Sequence, residues 1–520
     1  MQDHKLISFL RNPRCYISAV IASILLILVQ FASDDRIMTW DEVDYALASK
    51  QGFLANYFDS SALTAIDFIR FSKSKISNQP LQLDSYYKEE NDVFLLRHMH
   101  PPLLQYLMNF AGLQTFFDGH HDQFIFWFQI AGGIILITLI NSAVLLISNN
   151  YHFDLPTLIV MSATTFLTAF YLTREVQYHL WFTITLLLVS FIAGIYLKNP
   201  DQTKSVWLGT MLAFSFITLE TGLFAFALTI VLIVLKSIPR LNRENLRNFM
   251  KFILWRDISI ITLIMAIFIF LLWPASVLKL SLPRIISIYA YRIYLGNEYG
   301  GGNQIYLSLL YRTLPVSLVA GFGMFGYFKN RKNTERSYKF ILIGLGLGYG
   351  LIMLKFMVNI TYMVPALTLL LITGLTELAE VRNSKMKHLG SMTLVLLTGI
   401  ILSTAKPLET QATTQGIVNL ATLLEQYPAY IEAGHIYQYY LPDLSSRINR
   451  ITLSNKGDSI TVRRQTKYEP VSLDQLKNHV ILFYNRPELP PSSFEAIVKT
   501  KAEAISLPGV KGRAYLMKSL

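Results

Sequence analysis

Residues 206–235 read VWLGTMLAFSFITLETGLFAFALTIVLIVL, an apolar stretch in which Glu220 is the only charged side chain. A helix that crosses a bilayer needs about 20 apolar residues, so this stretch is too long for a single span. The polar break Leu219-Glu220-Thr221-Gly222 divides it near the middle. The stretch therefore predicts two short membrane helices joined by a tight turn, a helical hairpin.

The rest of the chain has the same character. Among its 520 residues, 52% are hydrophobic, 13% are aromatic and 15% are charged, and the mean hydropathy is +0.38. Soluble domains carry about 25% charged residues, so lipid is the predicted solvent for most of the chain. The net charge of +12 does not indicate nucleic-acid binding, because the basic residues cluster in short segments between apolar runs.

The lengths of the apolar runs predict an α-helical polytopic membrane protein with about eleven transmembrane helices. The first run follows Lys5, Arg11 and Arg14, which is the layout of a signal anchor or a signal peptide. An uncleaved anchor is favoured because no small-x-small cleavage site follows. The predicted spans are 15–31, 124–147, 157–172, 179–197, 206–219, 222–235, 257–273, 313–328, 340–357, 358–375 and 388–404.

Positive charge predicts the orientation of these spans. If the N-terminus is cytoplasmic, the basic segments 236–256, 329–339 and 376–387 all fall on the cytoplasmic side. The positive-inside rule requires this arrangement. The sequence therefore predicts a multi-pass membrane protein, located in the inner membrane if the source is bacterial.

Two large segments then lie on the non-cytoplasmic side. One is the first outer loop, 32–123, and the other is the tail, 405–520. The tail alternates a helical stretch, Gly416 to Gln426, with strand-like runs such as Val480 to Tyr484. It is predicted to form a small extracytoplasmic α/β domain after a transmembrane domain over 1–404.

Carboxylates open the first outer loop. Asp41, Glu42 and Asp44 follow the first span and stand beside Trp40 and Tyr45. Such a group suits base catalysis at the bilayer surface. The spacing of Thr39 and Glu42 also matches a capping box, in which Glu42 bonds the backbone at a helix start. Both interpretations can hold together, because the helix dipole favours the ionised form of Asp41 in the first turn.

Two histidines come later in the same loop, in Arg97-His98-Met99-His100-Pro101-Pro102-Leu103. The prolines favour an extended His100 and a helix that begins at Pro102. A His-x-His pair without a third ligand is weak evidence for a metal, and a rigid polar wall of a site is the favoured interpretation. No cofactor is predicted, and a divalent metal is unsupported by the sequence.

Two polar turns between spans also fall on the predicted outer side. The first, Thr173 to His179, contains Arg174 and Glu175, and the second contains Glu220. Arg174 and Glu175 alone are typical of an interfacial anchor with no chemical role. A charge at the edge of lipid is costly and usually has a function, although the tip of a hairpin lessens the cost for Glu220.

Taken together, these segments resemble the protein O-mannosyltransferase and aminoarabinose-transferase group of membrane glycosyltransferases, which have the GT-C fold. The resemblance extends over roughly residues 10–375, and each motif is short. The residues that carry it are Asp41-Glu42, His100-Pro101-Pro102-Leu103, Arg174, Leu219-Glu220-Thr221-Gly222 and Tyr362-Met363-Val364-Pro365.

The resemblance implies a GT-C transmembrane catalytic domain and an inverting transfer of a sugar from a polyprenyl- or dolichyl-phosphate carrier. The acceptor would be a lipid, a glycan or a protein. Asp41 would be the base or would orient the acceptor, with Glu42 in support. The implied substrate-binding residues are His100, Arg174, Glu220, Lys355 and Tyr362.

The chain departs from the family pattern at two places. Many relatives have Lys at the position of Glu220, and relatives often have Arg at the position of Thr361. A contact between Glu220 and the donor phosphate is therefore in question. Lys355, Arg292 and Arg312 are candidates to supply the missing positive charge.

Two other functions fit the same composition. A transporter or flippase for lipid-linked sugars predicts internal repeats and paired charges deep in the spans, and the sequence shows neither clearly. A non-catalytic binder of lipid-linked sugars is the second alternative. Replacement of Asp41 by Asn separates a binder from an enzyme, because binding alone survives the change.

Overall fold

The structure is a computed structural model that describes most of the chain. The described residues are 14–31, 37, 40–50, 53–54, 101–112, 121–148, 153–174, 177–237, 255–278, 303–329, 336–356, 360–381, 384–404, 412–432, 434–453, 460–464, 467–483 and 493–517. They divide into two compact units. The larger, called the membrane unit here, holds the apolar helices, and the smaller holds a β-sheet.

Helices make up the membrane unit. They are α1 (Arg14–Phe31), α3 (Leu103–Phe110), α4 (His121–Ile147), α5 (Leu155–Thr173), α6 (Tyr178–Lys198), α7 (Gln202–Thr218), α8 (Gly222–Ser237), α9 (Trp255–Leu272), α10 (Ala275–Leu278), α11 (Asn303–Arg312), α12 (Leu314–Lys329), α13 (Arg336–Phe356), α14 (Val364–Glu380) and α15 (Ser384–Thr404). The helix α2 (Trp40–Lys50) precedes α3 in the chain.

A helix is present at each of the eleven predicted spans. Six described helices are long and apolar enough to cross a membrane, and three further apolar helices are shorter. The six are Gln123–Ile147, Leu155–Thr173, Tyr178–Lys198, Trp255–Leu272, Ser337–Leu354 and Lys387–Thr404, and the three are Tyr16–Phe31, Gly222–Lys236 and Leu314–Lys329. The prediction of a polytopic helical membrane protein is confirmed.

One predicted span is displaced along the chain. The sequence predicted a helix over 358–375, whereas α14 runs from Val364 to Glu380 after a short 3-10 turn, Ile360–Tyr362. Pro365 lies in the first turn of α14, where its missing N–H costs no hydrogen bond. At the other end the helix continues to Glu380, and Glu377 in its last turn pairs with the buried Lys339.

Contacts between helix ends agree with helices that alternate in direction. We call the end at which α5 and α7 terminate the outer end, as the charge pattern predicts, and the opposite end the inner end. At the outer end, the Gln30 amide donates to the Thr173 hydroxyl, 3.1 Å away. At the inner end, the Tyr196 hydroxyl donates to Asp257, 2.8 Å away.

A buried ion pair joins α13 and α14 at the inner end, and α12 packs against it. The Lys339 ammonium of α13 lies 2.7 Å from Glu377 and 3.5 Å from Glu380, both of α14. Lys339 and Glu377 are 1% and 4% exposed, so removal of either partner leaves a charge in an apolar surrounding. Gly326 of α12 faces the same carboxylate, because a Cβ there would lie 2.7 Å from a Glu377 oxygen.

The second unit contains a seven-stranded sheet. Its elements are α16 (Thr414–Gln426), β1 (Ala429–Glu432), α17 (Gly434–Tyr440), β2 (Ile448–Leu453), β3 (Ile460–Arg464), β4 (Lys467–Pro470), β5 (Val480–Phe483), α18 (Ser493–Lys501), β6 (Glu503–Ile505) and β7 (Arg513–Leu516). The first nine residues of α2, 40–48, group with this unit.

The strand order of the sheet is β4-β3-β2-β1-β5-β7-β6. β1 pairs in parallel with β2 and with β5, and the outer pairs are antiparallel. Within the buried core, Glu495 accepts hydrogen bonds from Arg513, 2.8 Å away, and from the Tyr515 hydroxyl, 3.1 Å away. The prediction of a small α/β domain is confirmed by this sheet.

Candidate functional site

The carboxylate segment forms the start of α2. The helix begins at Trp40, which puts the backbone of Asp41 in its first turn. Glu42 is fully buried, while the side chain of Asp41 lies outside the described part of the structure. Thr39 also lies outside it, so the capping-box interpretation is untested. The predicted role of Asp41 as a base stays a prediction.

The end of α2 lies against α3. The Ser49 hydroxyl is 3.5 Å from the sulfur of Met108. The ring of Phe53, just beyond α2, lies 4.7 Å from the ring of Tyr106. His100 directly precedes the described part of α3 and lies outside the described residues. α3 is therefore the described element that continues the predicted His100 segment.

The turn between α7 and α8 holds Glu220 at the outer end. Glu220 and Thr221 are both buried, and the hydroxyls of Thr221 and Tyr349 lie 3.0 Å apart. Gly222 permits this tight turn, because a Cβ at that position would lie 2.5 Å from the backbone nitrogen of Phe216. The hairpin predicted from the sequence is confirmed, and its tip is fixed to α13.

Tyr349 brings together two of the predicted site residues. Its hydroxyl interacts electrostatically with Glu220 and with Tyr362. Tyr362 in turn packs against His179 of α6, with ring centroids 4.5 Å apart. Sequence reasoning missed Tyr349 and gave His179 no role. The available signal was a tyrosine inside an apolar run, Gly344-Leu345-Gly346-Leu347-Gly348-Tyr349-Gly350.

A second polar cluster lies at the outer end of α5. The Tyr171 hydroxyl donates to the carbonyl oxygen of Arg312, 3.0 Å away. Arg174 follows Tyr171 by three residues and caps the C-terminal end of α5. The guanidinium carbon of Arg174 lies 5.6 Å from the centroid of the Phe170 ring. Arg174, a predicted site residue, thus lies at the same outer end as Arg312. Arg312 is one of the candidates for the positive charge that relatives often have at the position of Thr361.

Several buried polar atoms near α3 have no hydrogen-bond partner among the described residues. They include Oε1 of Gln105, Nε1 of Trp273 and Oγ of Ser276. Gln105 uses its amide nitrogen to donate to the Tyr178 hydroxyl, and the Tyr106 hydroxyl donates to the carbonyl of Leu272. A buried polar atom without a partner costs about 1–3 kcal/mol. A bound ligand or water is the ordinary explanation.

These clusters come from separate helices that meet at one end of the bundle. Glu220, Tyr362 and Arg174 all lie there, whereas the side chain of Lys355 is outside the described part of the structure. Among the described residues, no group of three His, Cys, Asp or Glu side chains is placed to hold a metal ion. What the outer end offers is a pair of guanidinium groups, a buried carboxylate and several hydrogen-bonding atoms.

No family model matches the chain, and no curated protein matches it. Among solved structures, it is similar to ArnT from Cupriavidus metallidurans bound to undecaprenyl phosphate. The TM-score is 0.53 and the sequence identity is 11%, over 95% of this chain and 97% of that chain. The likeness at this identity concerns the fold. The chain is a polytopic helical membrane protein with the GT-C fold and a small C-terminal α/β domain.

Proposed function

We propose that this protein is an inverting glycosyltransferase that uses a polyprenyl-phosphate sugar as donor. The observation that carries the proposal is the hydrogen bond from the Tyr171 hydroxyl to the backbone carbonyl of Arg312, which brings Arg312 to the outer end of α5, where Arg174 lies. Guanidinium groups bind phosphate oxygens in a bidentate, charge-assisted way. The fold supports the proposal, because the ArnT protein of the same fold binds undecaprenyl phosphate.

In the proposed reaction, Asp41 accepts the proton of an acceptor hydroxyl. The acceptor oxygen forms a bond to the anomeric carbon from the face opposite the lipid phosphate. The bond between that carbon and the phosphate oxygen breaks, and the polyprenyl phosphate leaves with the electron pair. Each transfer then inverts the anomeric centre. A positioned base of this kind contributes about 10²–10⁴ in rate.

The leaving phosphate needs no proton, so one base is sufficient. The positive charges of Arg174 and Arg312 stabilise the charge that develops on the phosphate. Glu42 supports Asp41, and the buried start of α2 holds this carboxylate segment in helical form. His100 and Lys355 are proposed to complete the wall and the charge of the donor site.

The sugar itself is proposed to lie against the turn that carries Glu220. Its hydroxyls suit the Glu220 carboxylate and the phenol of Tyr362, and the turn that carries Glu220 is held by the contact of Thr221 with Tyr349. Because Glu220 is buried beside Tyr349, it is better suited to bind a sugar hydroxyl than to approach a phosphate of the same charge. This assignment accounts for the acidic residue where many relatives have Lys.

The test is sugar transfer in purified membranes from a panel of radiolabelled polyprenyl-phosphate sugars. Wild type is compared with Asp41→Asn at equal expression. Transfer that is lost in the variant supports an enzyme with Asp41 as its base. Equal transfer in both removes Asp41 from the mechanism. Donor binding without transfer in both proteins contradicts the enzyme and favours a binder of lipid-linked sugars.

A further inference from the structure

A cavity of about 400 Å³ lies in the membrane unit among α5, α12, α14 and α15. Its walls are mostly apolar side chains, among them Val160, Phe322, Leu378 and Leu394. The volume falls within the range of about 300–1,000 Å³ that is typical of small-molecule sites. Such space among membrane helices suits a flexible hydrocarbon chain.

The cavity is open to the lipid-facing surface of the bundle. Leu318 of α12 and Leu389 of α15 line it and are 50% and 70% exposed. Gly390 also lines it, and a Cβ built there meets no atom within 4 Å. A membrane lipid can therefore enter from the side, between α12 and α15.

A basic side chain lies at one end of this apolar space. Lys387 lines the cavity, is buried, and donates from its ammonium to Asp154, 3.0 Å away. Asp154 also caps α5 by accepting from the Thr157 backbone N–H, 3.1 Å away, and its side chain is 41% exposed. An ammonium carries three donors, so Lys387 can serve a second anion beside this screened carboxylate.

The position of Lys387 indicates which leaflet of the bilayer a bound lipid would come from. It lies at the start of α15, in the inner half of the bundle, and Lys329 ends α12 on the same side. The positive-inside rule predicts that this side is cytoplasmic. Basic pockets between membrane helices on the cytoplasmic side bind the headgroups of anionic lipids.

We propose that this cavity binds an anionic phospholipid of the cytoplasmic leaflet. One acyl chain fills the apolar space, and the headgroup phosphate accepts a hydrogen bond from Lys387. The lipid thereby wedges α15 against α12 and α14. The proposal goes beyond the transfer reaction and does not depend on it, because the donor phosphate is assigned to Arg174 and Arg312 at the opposite end of the bundle.

The chain offers a matched pair of variants. Gly390→Phe adds a ring at a position that lines the cavity and where a Cβ has open space, whereas Gly399→Phe adds the same side chain to the same helix at a position that does not line it. A Cβ at Gly399 also meets nothing within 4 Å. Lys387→Gln removes the cation and keeps a polar side chain of similar length.

The experiment measures the melting temperature of the full chain, purified in a mild detergent. The added lipid is phosphatidylglycerol, phosphatidylcholine of identical acyl chains, or polyprenyl phosphate. A lipid that binds the folded state raises the melting temperature, and the rise grows with the logarithm of the ratio of lipid concentration to Kd. For wild type and Gly399→Phe, the Kd for phosphatidylglycerol should be about tenfold lower than the Kd for phosphatidylcholine. Gly390→Phe should lose the response, and Lys387→Gln should lose the preference.

Three results would overturn the proposal. The first is an equal response of wild type to the two lipids, and the second is an undiminished response of Gly390→Phe. The third is a response to polyprenyl phosphate without one to phosphatidylglycerol, which would assign the cavity to the donor tail.

Discussion

The hydroxyl of Thr221 lies 3.0 Å from the hydroxyl of Tyr349, although the two residues are 128 positions apart in the chain. This contact fixes the turn between α7 and α8 to the middle of the glycine-rich α13. Since Glu220 adjoins Thr221, the same contact determines where its buried carboxylate lies. Tyr349 is accordingly a positioning residue for the proposed sugar site.

Tyr349→Phe should lower kcat/KM for sugar transfer by about tenfold, or about 1.4 kcal/mol. The variant keeps the ring and loses only the hydrogen bond that holds the turn. Initial rates with the accepted donor measure the effect. Thr221→Val removes the other half of the same bond, so the double variant should cost little more than either single variant. Fully additive losses would contradict a shared role.

Arg174→Gln and Arg312→Gln should each raise the KM for the lipid donor by about ten- to a hundredfold, because a hydrogen bond to a charged group contributes about 1.5–3 kcal/mol. The KM for the acceptor should change little. Steady-state kinetics with the two substrates varied separately measure both values. Lys329→Gln, an exposed cation at the inner end of α12, is the control. An unchanged donor KM in both arginine variants would refute the phosphate site.

Gly323→Ala should destabilise the membrane unit by about 1–3 kcal/mol, the usual range for overpacking. A Cβ at Gly323 would lie 2.3 Å from the backbone nitrogen of Gly374, so α12 and α14 would have to separate. Small residues allow such close crossings of membrane helices. Chemical unfolding in detergent measures the change.

Gly321→Ala is the matched control on the same helix. A Cβ at Gly321 meets nothing within 4 Å, and Ala favours a helix over Gly by about 1 kcal/mol. The control should be neutral or slightly stabilising. Equal destabilisation by the two variants would show that the crossing of α12 and α14 is not the cause.

The sequence was sufficient to predict the helices, because a bilayer-spanning helix needs only a long apolar run. It also singled out Glu220, since a charge at the edge of lipid is costly, whereas Arg174 and Tyr362 became candidate site residues through the resemblance to the glycosyltransferase family. It could not predict that Tyr349 contacts the turn that carries Glu220, because spacing along the chain does not reveal which helices meet. The strand order, in which β1 lies between β2 and β5, could not be predicted either, because spacing along the chain does not reveal which strands pair.

The start of α14 shows a different limit. Hydropathy alone favoured a helix from 358, but Pro365 is best accommodated in the first turn of a helix. The resulting 3-10 turn, Ile360–Tyr362, directs Tyr362 toward His179. The helix start is thus determined by the conformational preference of Pro365 and not by hydropathy, and this determines the backbone conformation at Tyr362.

The ion pair of Asp154 with Lys387 predicts a pH-dependent contribution to stability. Burial alone would raise the pKa of Asp154, but hydrogen bonds from Thr157 and Lys387 outweigh it and hold the pKa below its ordinary value of 3.8. The folded state therefore stays ionised to lower pH than the unfolded chain. The contribution is complete above the unfolded pKa and is lost as the pH falls through the folded pKa.

Asp154→Asn isolates this contribution, because Asn caps a helix about as well as Asp but cannot pair with Lys387. At pH 7 the variant should be less stable than wild type by on the order of 1 kcal/mol, since the carboxylate is screened by solvent. The difference should shrink at pH values below 3.8. Asp201→Asn, at the exposed cap of α7, should change stability less. A difference that stays constant from neutral to strongly acidic pH would exclude the ion pair as its source.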